Sequence, residues 1–354
     1  MKSLEEAILK GRNSLSSDRV DMSFGELINM YSNDELVIDP DFQRLFRWDI
    51  HQRTRFVESL LLGIPIPSIF VAEDNDGCWE IVDGLQRIST ILSFFGLLKE
   101  NPEKNGWVLE KGSILEELEG FAVSSLPLKF KLNLKRSSCR VEVIKWNSDY
   151  DMRFELFNRL NTGGTSLTEQ EIRNCIFRGI SVDFTNIIKE LASSVEFIDL
   201  IQPTQKQTEE LYLDELVLRF FSLFENHNDI SKKLSDHMTD YMRDATKDKN
   251  LYQYKIEKFK QTLSLIKRLG RKSILGKNGR LSTSLYDGIF NGVAANLEYY
   301  RNSAEVVLQD KVSSLKEDEK FKKAYGQMSN YKERTKNRII RALEIFSDYR
   351  CSEK

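Results

Sequence analysis

The stretch "PSIFVAEDNDGCWEIVDGLQRISTILSFF", residues 67–95, indicates how strands and a helix follow one another in the first part of the chain. Two apolar runs flank a short acidic turn that contains a glycine, which predicts a β-hairpin. From Gln86 onward apolar residues recur at helical spacing, so the second strand leads into a helix with Asp83 and Gly84 in the turn between them. The start of a helix carries unpaired N–H groups and a partial positive charge, and we expect a phosphate to bind there.

The polar residues of this junction have two interpretations that the residues alone leave open. In the first, Arg87 makes a forked contact to the phosphate, while Asp83 accepts a hydrogen bond from a ribose or holds a Mg²⁺ ion. In the second, Asp83 merely caps the helix and Arg87 pairs with a surface acid, because Asp-Gly turns are common between a strand and a helix.

Composition limits the classes of function. The 354 residues include 52 Lys and Arg against 54 Asp and Glu, so any contact with nucleic acid is expected to be local. Four cysteines occur singly without a CxxC spacing, which fits a reducing cytoplasm and predicts neither zinc nor disulfides. No stretch approaches the ~18 apolar residues of a membrane span, so no membrane partner is expected. The three histidines lie far apart, which argues against a nuclease domain of the HNH kind.

Further signals surround the hairpin in the first half. Asp49 and Gln52 form a capping-box pattern before an apolar helical face that ends at Gly63. Alternation of apolar and polar residues over 126–146 predicts another pair of strands. An amphipathic helix over 148–160 follows.

The loop "NTGGTS", residues 161–166, ends that helix. Two overlapping capping boxes, Ser166 with Glu169 and Thr168 with Glu171, then predict the start of another helix. The loop either joins two helices or makes a second contact with a phosphate or base, and both possibilities stay open.

After about residue 180 strand signals vanish, and long helical periodicities predict an all-α second domain. Between two of its helices lies "IKRLGRKSILGKNGR", residues 266–280, which contains six cations and no acid. We call this stretch the basic segment. It is a candidate for contact with a nucleic-acid backbone, although a solvated helix end is the more frequent explanation. Its cations are Lys267, Arg268, Arg271, Lys272, Lys277 and Arg280.

Four stretches in order resemble the GmrSD-type N-terminal domain family, also labelled domain of unknown function 262. They are "DFQRLFRWDIHQRTRFVESLLLGIPIPSIF", "VDGLQRISTILSFF", "LFNRLNTGGTSLTEQEIRN" and "LDELVLRFFSLF". The resemblance implies a ParB/sulfiredoxin-like fold in which the strand-turn-helix junction binds nucleotide phosphate. It adds weight to a site made of Asp83, Gly84, Gln86 and Arg87.

By the same resemblance, two further groups match family motifs and would contribute to the nucleotide site. The first group, which would line the nucleotide or a DNA phosphate, is Gln43, Arg44, Arg47 and Trp48. The second is Asn158, Asn161, Gly163 and Gly164. The competing interpretation of the first group is a packed Trp48 with its arginines in surface ion pairs.

The sequence therefore predicts an α+β, ParB/sulfiredoxin-like domain over residues 1–180 and an all-α domain over 181–354. We expect a cytoplasmic sensor or regulatory protein of a bacterial antiphage, restriction-type system that has no nuclease domain of its own. Its predicted ligand is a nucleoside triphosphate with Mg²⁺, and its predicted partners are DNA and an effector protein. One alternative is an NTPase in which Asp83 holds Mg²⁺ and Arg87 stabilises transition-state charge. Another is a DNA-binding or protein-interaction module that has lost nucleotide binding.

Overall fold

The computed structural model divides the chain into two compact units, Met1–Ser166 and Leu167–Lys354. Residues 167–180, which the sequence places at the end of the first domain, therefore lie in the second unit. The structure describes residues 16–38, 46–74, 76–99, 101–145, 168–178, 182–247, 249–325 and 330–347, together with residues 4, 8, 156 and 159.

A five-stranded mixed sheet forms the centre of the first unit. Its strands are β1 (Ser17–Ser23), β2 (Leu36–Val37), β3 (Ile69–Glu73), β4 (Trp79–Asp83) and β5 (Ser138–Ile144). They lie in the order β1-β5-β3-β4-β2. The β1–β5 and β3–β4 pairs are antiparallel, whereas β5–β3 and β4–β2 are parallel.

The predicted hairpin is confirmed as β3 and β4, in which Val71 pairs with Ile81. The Asp74 carboxylate holds the turn, because it accepts the backbone N–H groups of Asp76 at 2.9 Å and Cys78 at 2.8 Å. An aspartate that bonds to the backbone ahead of it is a common way to fix a turn.

The α-helices of the first unit whose bounds lie in the described residues number four, beside two 3₁₀ turns over Pro102–Lys104 and Glu116–Leu118. The four α-helices are α1 (Phe24–Ser32), α2 (Ile50–Leu62), α3 (Leu85–Phe94) and α4 (Leu128–Arg136). The predicted capping box of α2 is confirmed, since Asp49 and Gln52 bond reciprocally and Gly63 closes the helix with a φ of 71°.

The prediction of a strand pair over residues 126–146 is wrong in its first half. Residues 128–136 form α4, which follows Pro127 and ends in Lys135 and Arg136. Only Ser138–Ile144 forms a strand. The physical reason is that β1 and β3 already occupy both edges of β5, so no edge is left for a neighbouring strand. The helix buries Leu134 completely and leaves Leu128 exposed.

The less periodic segment between α3 and α4 is fixed to α2 by two buried polar side chains. Thr54 and Glu58 lie one turn apart on α2, and both are buried. Thr54 Oγ1 accepts the N–H of Glu110 at 3.1 Å, and Glu58 Oε1 accepts those of Ile114 and Leu115 at 2.8 and 2.7 Å. These bonds satisfy the buried carboxylate, which is otherwise costly to remove from water.

The described part of the second unit is helical, apart from one isolated bridge between Leu275 and Leu281. Thr168 and Glu171 form the capping box of the first helix, as predicted. The α+β then all-α fold class is thereby confirmed. The helices are α5 (Glu169–Arg178), α6 (Val182–Ala192), α7 (Val195–Ile201), α8 (Gln205–Glu209), α9 (Tyr212–Asn226), α10 (Leu234–Ala245), α11 (Tyr252–Leu269), α12 (Thr283–Ala295), α13 (Leu297–Asn302), α14 (Glu305–Glu317), α15 (Glu319–Lys323) and α16 (Lys332–Ser347).

An ionic cluster lies inside the core of this helical unit. Asp287 of α12 accepts from Arg219 of α9 at 2.5 and 2.7 Å and from Arg338 of α16 at 2.6 Å. All three side chains are at most 1% exposed. Charges buried to this degree are tolerated only when they are paired and hydrogen-bonded, so the cluster fixes the mutual placement of three helices.

No helix in the described ranges has the length and apolar content needed to cross a membrane.

Candidate functional site

The strand-turn-helix junction has the geometry that the sequence predicts. Strand β4 ends at Asp83, Gly84 is the N-cap with a φ of 100°, and α3 begins at Leu85. No side chain caps this helix. An uncapped helix start presents backbone N–H groups and the positive end of the helix dipole, which together suit an anion.

Gly84 is required by the packing of the protein itself. Its positive φ is a conformation that residues with a side chain rarely adopt. A Cβ at this position would also lie 2.9 Å from Cγ1 of Ile69 on β3 and 3.3 Å from Nη2 of Arg87. The glycine therefore lets α3 begin directly against the neighbouring strand.

Arg87 is a buried residue of the junction. Its side chain is 11% exposed. Nη1 donates to the carbonyl oxygens of Pro67 and Ser68, the latter at 3.1 Å, and Nη2 donates to Asp83 Oδ2 at 2.8 Å. The guanidinium thus ties the loop before β3 to the carboxylate at the end of β4. This geometry favours a positioning role for Arg87 over a forked contact with a ligand.

Gln86 joins this junction to the second predicted motif. Its Oε1 accepts the backbone N–H groups of Arg47 and Trp48, both at 3.0 Å. The structure therefore brings Arg47 and Trp48, the end of that motif, against the first turn of α3, although 39 and 38 residues separate them from Gln86. Gln86 therefore holds the backbone of Arg47 and Trp48 against the start of α3.

Aromatic rings and further cations surround the segment before α2. The Trp48 ring meets the Phe56 ring edge-on, with centroids 5.7 Å apart. The guanidinium of Arg53 lies 5.2 Å from the ring centroids of Phe46 and Trp107. Burial lowers the pKa of Arg53, whereas the charge of Asp49 opposes that effect. Trp48 is thus packed, as the competing interpretation of its motif expects.

Lys104 is a cation at this site that sequence reasoning missed. Its Nζ donates to the carbonyl oxygen of Phe46 at 3.0 Å and lies 5.3 Å from the centroid of the Phe46 ring. It belongs to the irregular segment after α3, where no periodicity or motif marks it. Only the contacts of Lys104 in the folded structure identify it as part of the site.

Asp83 is the junction carboxylate that solvent reaches, since 43% of its side chain is exposed. Mg²⁺ is commonly held by one or two carboxylates together with substrate phosphates, so a single aspartate beside an uncapped helix fits that donor set. Within the part of the chain that the structure describes, no group of three or more His, Cys, Asp or Glu side chains forms a metal cluster.

Several predicted site residues lie outside the described residues. They are Gln43, Arg44, Asn158, Asn161, Gly163 and Gly164. Their part in the site stays a prediction.

The basic segment spans the end of α11, a 3₁₀ turn over Arg271–Ile274 and the loop that leads to α12. Five of its cations are exposed, namely Lys267, Arg268, Lys272, Lys277 and Arg280. Arg271 is half-buried, and its Nε donates to the carbonyl oxygen of Ile201 at 3.3 Å. The exposed cations therefore remain candidates for contact with phosphates, and Arg271 helps to hold the segment.

A comparison with known protein families gives a match that covers most of the first unit and the start of the second. Residues 24–178 match the family model described as the N-terminal domain of the GmrSD restriction endonuclease. The predicted resemblance is confirmed for this part of the chain, while the ParB/sulfiredoxin-like label stays a prediction. No match was found among curated proteins or among solved structures.

Proposed function

We propose that the first unit binds the phosphates of a nucleotide at the start of α3 and serves as a sensor component of a restriction-type defence system. One observation carries the proposal: Gln86 joins the two motifs of the family resemblance at an uncapped helix start. Two motifs far apart in sequence meet where an anion is favoured. The match to a restriction-endonuclease domain supports the biological setting.

Each junction residue has a distinct part in this proposal. The first turn of α3 receives a phosphate, and the Asp83 carboxylate holds Mg²⁺ or a ribose hydroxyl. Arg87 keeps Asp83 in place through the 2.8 Å ion pair. Gln86 anchors the backbone of Arg47 beside the same helix turn, so that the arginine contributes positive charge near the bound phosphate. The bound nucleotide then changes how the protein engages its effector partner in the cytoplasm.

Calorimetry with an isosteric variant tests this assignment. Each of the four nucleoside triphosphates is titrated into the full chain with and without Mg²⁺. We expect Asp83→Asn to weaken Mg²⁺-dependent binding at least tenfold, because the amide keeps an acceptor for Arg87 but is a poor metal ligand. The matched control is Asp76→Asn, which alters an exposed acid in the β3–β4 turn.

The Asp76→Asn control should bind nucleotide like the parent protein. In Asp83→Asn, the affinity measured without Mg²⁺ should change less than the affinity measured with Mg²⁺. Absence of binding for every triphosphate would refute the proposed function. Equal Mg²⁺-dependent affinity in parent and Asp83→Asn would remove the metal role from Asp83.

A second candidate function is contact of the basic segment with DNA, and the five exposed cations favour it. Each neutralised phosphate contributes about −0.9 to the slope of log affinity against log salt. Replacing Arg268, Lys272 and Arg280 together by Gln should therefore flatten that slope by up to about 3 units and weaken binding to all sequences about equally.

The control replaces exposed lysines elsewhere in the helical unit, namely Lys206, Lys247 and Lys320, by Gln. It has the same change in net charge. If control and test variants lose affinity to the same extent, net charge and not the basic segment governs the binding.

A further inference from the structure

A pocket of about 250 Å³ lies within the helical unit, beside the end of the basic segment. Its walls come from the loop before α12, the end of α14 and the short α15. Two leucines complete it, and the other lining residues are Gly276, Lys277, Lys316, Phe321, Lys322 and Tyr325. It lies just below the ~300–1,000 Å³ of typical ligand pockets, so it suits one small ring with a substituent.

The charge on the walls of this pocket has one sign. Three of the described lining residues are lysines, and none is an acid. Lys316 is half-buried, and burial lowers the pKa of its amine. Its Nζ donates to the carbonyl oxygen of Lys272 at 2.7 Å, which fixes the ammonium beside the pocket. A desolvated ammonium gains most from an anion, because the attraction is strongest where water is displaced.

One of the pocket lysines, Lys322, pairs with an exposed acid, Glu319, which does not itself line the pocket. The pKa of Glu319 is lowered, first by the hydrogen bond from Lys322 and then by the charges of Lys322, Lys323 and Lys277. The Glu319–Lys322 pair measures 2.7 Å, with Glu319 78% exposed. An exposed pair of this kind contributes little stability, so a ligand anion displaces it at small cost.

Aromatic rings form another wall. Phe321 and Tyr325 have centroids 6.2 Å apart at an interplanar angle of 46°. The Tyr325 hydroxyl would lie 3.2 Å from a Cβ on Gly276, so the missing side chain leaves the hydroxyl room at the loop. Aromatic walls favour a flat ring, and lysines favour an anionic group attached to it.

We propose that this pocket binds a phosphate monoester that also carries an aromatic ring, with the phosphate on the three lysines and the ring against Phe321 and Tyr325. Such a ligand is either a free mononucleotide or the phosphorylated end of a nucleic acid. The site is separate from the junction of the first unit and does not depend on nucleotide binding there.

The test measures the binding of phenyl phosphate, a minimal probe, to the full chain. Saturation-transfer NMR and calorimetry are the two methods. Phenol supplies the ring alone and inorganic phosphate the anion alone, and both should bind at least tenfold more weakly than phenyl phosphate. The test variant carries Lys277→Gln and Lys316→Gln. It should weaken phenyl phosphate at least tenfold and leave the thermal midpoint of the unit unchanged within about 2 °C, since both side chains reach solvent.

The matched control carries Lys206→Gln and Lys247→Gln, two exposed lysines of the helical unit that do not line the pocket. It has the same change in net charge and should bind phenyl phosphate like the parent. Equal binding by parent and test variant, or an equal loss in test and control variants, would overturn the proposal.

Two further titrations identify the source of the ligand. A nucleoside 5′-monophosphate that binds and is lost in the test variant indicates a free nucleotide. Binding by a 5′-phosphorylated oligonucleotide but not by its unphosphorylated form, again lost in the test variant, indicates a nucleic-acid end. If the nucleoside 5′-monophosphate, the 5′-phosphorylated oligonucleotide and phenyl phosphate all fail to bind, the proposed site is refuted.

Discussion

Replacing Arg87 by alanine should destabilise the first unit, because this guanidinium joins three parts of the junction. Arg87→Ala removes the donors to the carbonyl oxygens of Pro67 and Ser68 and to the Asp83 carboxylate. Hydrogen bonds that involve a charged group contribute about 1.5–3 kcal/mol each. Water reaches Pro67, Ser68 and Asp83 in part and replaces some of these bonds.

The expected loss of unfolding free energy is therefore about 2–4 kcal/mol, below the simple sum of the bonds. For a unit of this size, 1 kcal/mol shifts the thermal midpoint by about 2–4 °C, so a decrease of about 4–16 °C is expected. Arg87→Lys should fall between parent and alanine variant, because an ammonium keeps the charge but cannot reproduce the fork.

Tryptophan fluorescence during heating is the assay of choice, since all four tryptophans, Trp48, Trp79, Trp107 and Trp146, belong to the first unit. The control is Arg55→Ala, an exposed arginine of α2 that should change the midpoint by less than about 2 °C. A shift below 2 °C for Arg87→Ala would refute the structural role assigned to its hydrogen bonds.

Three further predictions follow from buried groups. Asp287→Asn should lower the unfolding free energy by about 3–5 kcal/mol, because it leaves two buried arginines without their carboxylate; urea unfolding followed by circular dichroism measures this, and a loss under about 1 kcal/mol would contradict it. Burial lowers the pKa of His237, so as the pH falls the unfolded chain binds a proton before the folded chain does. The free energy of unfolding should therefore decrease as the pH drops below about 6.5. His237→Gln should remove that part of the pH dependence, whereas His51→Gln, at an exposed position, should keep it. Burial raises the pKa of Cys139 to about 11, so iodoacetamide at pH 8 should alkylate it far more slowly than the partly exposed Cys78, as peptide mass spectrometry would show.

Local patterns were enough to predict the elements that build the junction. The apolar runs of β3 and β4, the acidic turn and the helical periodicity after Gln86 each involve neighbours in sequence. The capping box of α2 is equally local. These local predictions agree with the structure because tertiary packing does not favour a different conformation in these segments.

Contacts between distant residues could not be predicted in the same way. The alternation in residues 128–134 favoured a strand, but the occupied edges of β5 decided for a helix. Nothing near Arg87 in sequence indicates that its partners are carbonyl oxygens some 19 and 20 residues earlier. Spacing locates a charged side chain on an element, whereas its burial depends on what packs against that element.

One signal in the sequence could have indicated the ionic core of the helical unit. In "TSLYDGIFNGVAA", residues 283–295, Asp287 is the single charged residue of an otherwise apolar and small stretch. An acid there needs a buried cation, and Arg219 within "LVLRFF" is a candidate of the same kind. Pairing such isolated charges across apolar helices is a usable rule.

Hydrogen exchange at the start of α3 shows whether a nucleotide phosphate binds this helix turn. The full chain is compared with and without saturating nucleoside triphosphate and Mg²⁺, and exchange is read from peptides that cover Asp83–Ile88. If phosphate binds the uncapped helix start, the amides of this turn should exchange at least tenfold more slowly with ligand, and Asp83→Asn should reduce that protection. If exchange in this turn is unchanged under conditions in which calorimetry shows nucleotide bound, the nucleotide binds elsewhere and the start of α3 is not its site.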